Sequence, residues 1–564
     1  MVIGIDLGTT NSLVAYYTEE GPKIIPNRLG ERLTPSIVSL DENDQLYIGR
    51  TAEERMQLYP ETCASVFKRD MGSNKAFELG SKSFTAEELS SFVLRSLKED
   101  AEEFLGEEVT EAVISVPAYF NDMRRKATKR AGELAGLKVD RIISEPTAAA
   151  IAYGLYNTDG RSKFLIFDLG GGTFDVSILD YFEPILEVRA VAGDNFLGGE
   201  DFTTVIENIF FERNKEIDKD SLSLKEKRHI HKQAEKLKIN FGDGLMSSMT
   251  VTLNDKSYDM ELTLHDYEKA CEELYDRIRI PVKKSLADAN LKLSEIDRIV
   301  LVGGATKLPG VRRFVAKMFK NMPDTSVNPD EAVALGAAIQ AAIKERDASI
   351  KEVILTDVCP FTLGTEVVVD LGDNRYEDDH YCPIIERNTI IPVSRTERMY
   401  TIRDNQTKLD VTILQGESRF ARNNVELGRL EVSVPKNSAG KEAIDVTYTY
   451  DINSILEVEV TVISTGQKFR QIVKNNETDM TDEQIEERFK ELSYLKIHPR
   501  DQEENKLLLL RGEKLYSESL GMDRQDIDQK LKKFEIALQT QDKRIIEKER
   551  KELKEYLDAW DDKY

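Results

Sequence analysis

Two short stretches of this chain carry residue types suited to phosphate and a divalent cation. One is Asp168-Leu169-Gly170-Gly171-Gly172-Thr173-Phe174-Asp175, directly after the apolar run Phe164-Leu165-Ile166-Phe167. The other is Asp6-Leu7-Gly8-Thr9-Thr10-Asn11-Ser12, directly after Val2-Ile3-Gly4-Ile5. Glycines, which carry no Cβ, let the backbone turn tightly and come close to a ligand. Successive amide N–H groups in such a turn form a concavity for an anion. An aspartate at the strand end can hold a hydrated Mg²⁺, a hard cation that takes oxygen ligands and keeps several waters. Thr173 adds a hydroxyl beside them. A third strand-plus-glycine unit follows at Ile299-Val300-Leu301-Val302 and Gly303-Gly304-Ala305-Thr306. One such turn is weak evidence. Two Asp-Leu-Gly loops behind strands, with a third glycine turn, point to one nucleotide held between two related halves. The sequence has no Gly-x-x-x-x-Gly-Lys-[Ser/Thr] loop, which argues against a Walker-type enzyme.

The elements that would position these groups alternate strand and helix through residues 1–350, as in α/β domains. Residues 85–105 read as a helix, with Thr85 as N-cap and Glu88 completing a capping box. Ala112-Val113-Ile114-Ser115-Val116 reads as a strand closed by Pro117, and Asn121 then caps a helix running to Gly136. Arg141-Ile142-Ile143 leads into Glu145-Pro146-Thr147 and an alanine-rich helix. Residues 225–241 form a charged helix, and residues 330–344 a small-residue helix suited to close packing. After residue 350 the pattern changes. The block from 358 to about 478 alternates apolar and polar residues, as in Leu409-Asp410-Val411-Thr412-Ile413, and reads as an antiparallel β-sandwich. From Thr481 the chain is helical. Ile527, Leu531, Phe534 and Leu538 fall at 4-3-4 spacing on one face, which predicts a small helical bundle over 479–564.

Bulk properties exclude several classes. A chain of 564 residues is too long for one core, so several domains are expected. A net charge of −24 argues against nucleic acid or an anionic membrane as the main partner. The four cysteines include no Cys-x-x-Cys, which leaves neither a disulfide framework nor a zinc pattern. No basic and apolar leader precedes the first strand, and no apolar run approaches a membrane span. A reducing cytoplasm is the default expectation.

The three glycine units resemble the phosphate-1, phosphate-2 and adenosine motifs of the actin, sugar-kinase and heat-shock ATPase superfamily. More narrowly, the chain resembles the seventy-kilodalton heat-shock chaperones of the DnaK type, and within them the HscC branch of bacteria. The resemblance implies an actin-like, ribonuclease H-like two-lobed ATPase over 1–350 and a linker over 351–357. A β-sandwich that binds peptides over 358–478 and an α-helical lid over 479–564 would follow. It implies ATP and ADP as ligands with Mg²⁺, and K⁺ as a further candidate. Gly8, Thr9, Thr10, Asn11, Gly170, Gly171, Gly172, Gly198 and Gly199 would cradle phosphates. Glu235, Lys238, Gly303, Gly304 and Lys307 would hold the nucleoside. Asp6 and Asp168 would hold the metal through waters. Lys68, Glu145, Asp168 and Thr173 match the family's catalytic positions. Taken singly these are bland: a lone lysine is ordinarily a solvated surface charge, and Glu145-Pro146 could simply end a strand. Their joint occurrence in family order reverses that.

The adenine turn departs from the family. Lys307 stands where an arginine is usual, and a guanidinium stacks on a base better than an ammonium. A usual serine falls at Gly242. Weaker nucleotide binding is therefore expected. Pro117 and Arg125 match a pair that relays peptide occupancy to the ATP site. Val353, Leu355 and Asp357 match interdomain coupling positions. The implied peptide pocket is Thr365, Val367, Val368, Met399, Ile402, Leu409, Val411 and Ile413, some of which would serve as sandwich core. The arch pair, usually methionine and alanine, reads Val368 and Ile402, and the neighbouring loop 372–380 is longer and acidic. Implied partners are unfolded or extended polypeptides, a J-domain co-chaperone and a nucleotide-exchange factor. The expected function is an ATP-dependent chaperone. A non-hydrolysing exchange or assembly factor and a small-molecule kinase of the same superfamily are the alternatives.

Overall fold

The computed structural model describes residues 1–154, 161–182, 185–242, 244–253, 256–344, 354–370, 376–451, 455–473, 499–519 and 521–561. The chain divides into two compact units, Met1–Pro360 and Phe361–Tyr564. The first unit therefore takes in the whole segment 351–357 read as a linker, and that segment is a strand from Ile354 onward.

Two sheets of matching plan organise the first unit. In one, Val2–Asp6 begins an antiparallel meander with Asn11–Thr18 and Gly21–Ile25. On its other side it pairs in parallel with Glu111–Val116, which pairs in parallel with Lys138–Ser144. In the second, Ser162–Leu169 begins a meander with Phe174–Phe182 and Ile185–Asp194, and pairs in parallel with Arg298–Val302. The expectation of two related halves is thus met at the level of topology. Asp6 and Asp168 stand at equivalent places, the ends of the two leading strands. Both strands are buried apolar runs. Ile3 and Ile5, and Phe164, Leu165, Ile166 and Phe167, are at most 1% exposed.

The helical expectations hold with small shifts of boundary. Ala86–Leu105 carries the Thr85–Glu88 capping box in both directions. Asp122–Leu134 starts with the Asn121 side chain accepting from the Arg124 amide. Glu145 is the first residue of the helix Glu145–Ala152 rather than a strand end. The small-residue helix Ala332–Lys344 crosses that helix closely. A Cβ on Gly336 would lie 1.8 Å from the carbonyl oxygen of Ala148, so only glycine permits the crossing.

In the second unit, strands 363–370, 376–385, 408–415 and 425–433 form one antiparallel sheet, and strands 393–400, 443–450, 456–462 and 468–473 form another. The Tyr448 hydroxyl, buried, donates to the Gly364 carbonyl and ties the two sheets together. Helices Glu503–Glu518, Gly521–Thr540 and Lys543–Asp561 follow. Ile527, Leu531, Phe534 and Leu538 are all buried in their common core, as the 4-3-4 spacing predicts. The helical onset expected at Thr481 lies outside the described residues.

Candidate active site

A cavity of about 460 Å³ opens between the ends of the two meanders. It is lined by Asp6, Gly8, Thr9, Thr10, Asn11, Lys68, Glu145, Asp168, Gly170, Gly171, Thr173, Gly199, Glu235, Lys238, Gly303, Gly304 and Lys307. These come from stretches up to 300 residues apart in the sequence. Gly172 and Gly198 do not line it.

Each loop is held by its own short bonds. The Gly8 amide donates to Ser12 Oγ, and the Ser36 hydroxyl donates to the Gly8 carbonyl. In the other loop the Gly170 amide donates to the Thr173 carbonyl. The first two amides of the helix Gly199–Arg213, those of Gly199 and Glu200, donate to the carbonyls of Gly170 and Gly171. The loops from the two halves touch. A Cβ on Gly171 would lie 1.6 Å from Thr10 Oγ1. The glycines are needed here because two backbones converge.

Lys68 sits in a short 3₁₀ turn, Phe67–Asp70, entered through Val66 in the left-handed region at φ 59°. That conformation is costly for a β-branched residue, by about 1–3 kcal/mol, and persists only where its surroundings enforce it. Lys68 is 3% exposed, so it is not the solvated surface charge that a lone lysine usually is. Its Nζ lies 2.9 Å from Glu145 Oε1 and 5.7 Å from the centre of the Phe120 ring.

Around this lysine stand four carboxylates: Glu145, Asp168 and Asp175, which are buried, and Asp6, which is half-buried. Burial, then Glu145, pushes Asp6 up to about 7, while Lys68 and a 2.9 Å bond from Ser115 Oγ pull the other way. Burial and the neighbouring acids hold Asp168 well above the usual carboxylate range. Burial and Glu145 push Asp175 up to about 8, against a bond from the Tyr119 amide. Four acids facing one ammonium in a buried space form a cation-deficient site. The donors are all hard oxygens, which fits Mg²⁺. Among the described residues no group of three or more His, Cys, Asp or Glu could hold a metal by itself. An ion here would draw further ligands from water and phosphate, as Mg²⁺ ordinarily does.

The sequence reading missed Asp175, Ser115, Arg69 and Glu200. Asp175 was visible as the partner of Asp168 across the hairpin, since the loop joining the two strands, residues 170–173, is only four residues long. The others have no sequence signal, because topology alone brings them in. At the far end of the cavity, Ile239, Gly242, Ala305, Leu308 and Val333 give an apolar wall suited to a base. Lys307 is ion-paired with Asp330. Lys238, expected to meet the nucleoside, donates to the Gly199 carbonyl and Thr203 Oγ1 and so braces the phosphate-side helix.

Glu200 on the cavity wall also belongs to a triad. His231 Nδ1 lies 2.6 Å from Glu207 and its Nε2 3.3 Å from Glu200. Burial opposes protonation, yet the two glutamates outweigh it and push His231 up to about 9. A raised folded-state pKa contributes stability that is fully present below about 6.5 and is lost as pH rises through about 9. His231→Gln is expected to flatten stability against pH over that interval, by at most about 3 kcal/mol. Urea unfolding at pH 6 and pH 9.5 measures it, and an unchanged slope would refute the triad.

Pro117 is buried, and Arg125 braces the turn that follows it, donating to the carbonyls of Ala118 and Phe120. The Tyr119 amide in that turn is the donor to Asp175. In the second sheet, Ile354, Leu355 and Thr356 pair in parallel with Ile185, Leu186 and Glu187. Asp357 accepts from the Val358 amide and acts electrostatically on Arg141. Val353 lies outside the described residues.

The peptide-site candidates lie in the second unit. Thr365, Val411 and Ile413 are buried, whereas Val367, Val368, Met399, Ile402 and Leu409 are half-buried. The acidic stretch after Val368 is a continued hairpin, with Val367 opposite His380 and Val369 opposite Glu377. Residues 371–375 lie outside the described residues.

Among the described residues no helix is long and apolar enough to cross a membrane. A family profile described as Hsp70 protein matches residues 2–564. The chain is 39% identical over 496 residues to a chaperone protein DnaK from Mycoplasma mobile, covering 86% of this chain and 80% of the relative. It is 41% identical over 487 residues to those of Thermotoga petrophila and Thermotoga maritima, covering 84% and 80%. The chain belongs to the Hsp70 family of ATP-hydrolysing chaperones.

Proposed function

We propose that the cavity of the first unit binds and hydrolyses ATP, and that hydrolysis switches the sandwich of the second unit between fast and slow exchange of extended apolar peptides. The observation that carries this is the buried Lys68–Glu145 pair facing Asp6 and Asp168 at the ends of equivalent strands. Phosphoryl transfer needs positioning and charge neutralisation more than covalent chemistry. The amides of Gly8, Thr9, Thr10, Asn11, Gly170, Gly171 and Gly199 would receive the phosphates. Lys68 would meet the γ-phosphate charge, Glu145 would orient Lys68 and help order the metal and the attacking water, and the Thr173 hydroxyl would stand beside the γ-phosphate. Asp6 and Asp168 would hold Mg²⁺ through waters, and bound Mg²⁺ would neutralise phosphate oxygens; K⁺ is a further candidate for the same acidic site. ATPase rates with and without an unfolded peptide test this. No ADP would mean a non-hydrolysing module, and no peptide stimulation would sever the two units functionally.

The remaining parts follow the same reading. The Arg125–Pro117 turn, through Tyr119 and Asp175, offers a covalent and hydrogen-bonded route to the site. Unfolded polypeptides are the proposed clients, with a J-domain co-chaperone and a nucleotide-exchange factor in a cytoplasmic setting.

The peptide site is expected to differ in selectivity from ordinary DnaK sites. Val368 and Ile402 are β-branched and stiff at χ1, which makes a bulkier, less adaptable arch. On the hairpin, Asp379 is neutralised by Arg422 and Glu377 sits 3.0 Å from His380, leaving Asp378 exposed along with Glu366. Basic flanks should gain from this charge complementarity. A peptide array giving the preferences of ordinary DnaK, with no added basic bias, would sink the idea.

A further inference from the structure

We infer that Arg69 is a positioning residue, a clamp that holds the Lys68-bearing turn of one lobe onto the phosphate loop of the other and sets how fast nucleotide leaves. This rests on the assignment of the cavity as the nucleotide site. Arg69 Nε donates to the Gly172 carbonyl at 2.8 Å, and its Nη2 lies 2.8 Å from Asp201 Oδ2. The same Asp201 oxygen accepts the Gly198 amide at 2.8 Å. Asp201 is the third residue of the helix whose first two amides hold the carbonyls of Gly170 and Gly171. One guanidinium therefore grips both the loop and the helix that supports it.

The pair is largely sheltered, with side-chain exposures of 17% and 24%, so salt screens it less than a surface pair. A planar fork makes both bonds at once, whereas a lysine ammonium is a point charge on a shorter reach. The fit is close: a Cβ on Gly172 would lie 2.8 Å from Arg69 Nε and 2.5 Å from Thr9 Cγ2. Parting the two loops at this point requires breaking the bonds of Arg69. Lys68, one residue earlier, turns to Glu145 inside the cavity, so the clamp and the catalytic lysine share one short turn. Nucleotide seated on the loops is retained while the clamp holds, and Lys68 keeps its aim for the same reason.

The test uses the full chain and a fluorescent ADP analogue chased with excess ATP. Arg69→Lys and Asp201→Asn are each expected to speed release about tenfold or more, the effect of losing a charge-assisted bond. The double variant should be no faster than the faster single, because both remove one interaction. Single-turnover hydrolysis should fall in Arg69→Lys. Release within twofold of wild type in both singles, or effects that multiply in the double, would overturn the clamp. So would a lowered melting temperature with release unmoved. Asp201→Asn keeps an oxygen for the Gly198 amide and so decides the matter if Arg69→Lys does not fold. A wild-type chain that retained no ADP analogue would refute the site assignment, whereas wild-type retention with indifferent variants would refute the clamp alone.

Discussion

Replacing Lys68 by alanine is expected to slow ATP hydrolysis by about 10²–10³, the loss typical of removing one preorganised donor from a developing charge. Lys68 is the ammonium that faces the buried carboxylates of Glu145, Asp168 and Asp175 and half-buried Asp6, and Glu145 fixes its direction at 2.9 Å. The charge is held in place before the reaction, so no reorganisation is needed when the γ-phosphate departs. The same substitution leaves Glu145 buried without its cation, which can cost about 3–5 kcal/mol of stability. Thermal melting must accompany the kinetics, and Lys68→Ala with Glu145→Gln removes the orphaned charge. Wild-type turnover in folded Lys68→Ala would show that Lys68 has been misassigned. If the double variant recovers stability and not rate, the catalytic and structural parts of the pair are separated.

Replacing Val353 and Leu355 by aspartate is expected to abolish both peptide stimulation of hydrolysis and ATP-driven peptide release. A pure tether is better served by polar, flexible residues. Here Ile354, Leu355 and Thr356 extend the second sheet as a parallel strand beside Ile185, Leu186 and Glu187. Parallel pairing of this kind needs apolar residues that tolerate cover on both faces. A ligand can shift an equilibrium only through different affinities for its two states. ATP must therefore bind more tightly when this strand is in its sheet, and peptide when it is not. Binding of ATP and of peptide, each measured alone, should survive the double substitution. Retention of both couplings would show that the segment is only a tether.

The chemistry of the site was legible in the sequence wherever it depended on local backbone. Asp6 and Asp168 were nameable because a buried apolar strand, an acid and a glycine turn are consecutive along the chain. The Thr85–Glu88 capping box and the Ile527, Leu531, Phe534, Leu538 stripe were legible for the same reason, since each is set by spacing within one element. Lys68 and Glu145 were found through resemblance, because neither a lone lysine nor a Glu-Pro step signals catalysis on its own.

What the tertiary structure alone decided is how separate stretches meet. It buries Lys68 against Glu145, 77 residues away, and brings Ser115 to Asp6 across 109. It bonds Lys238, on the cavity wall, to Gly199 and Thr203, and pairs Lys307 with Asp330. It also makes Arg69 a bridge to Gly172 and Asp201, which nothing adjacent to Arg69 foretells. The strands, the caps and the glycine turns are set locally, because they follow from side-chain periodicity and backbone sterics over a few residues. The charge balance of the cavity and the contact between its two lobes required the topology, because burial and Coulomb interaction depend on distance in space, and that is set by which strands pair.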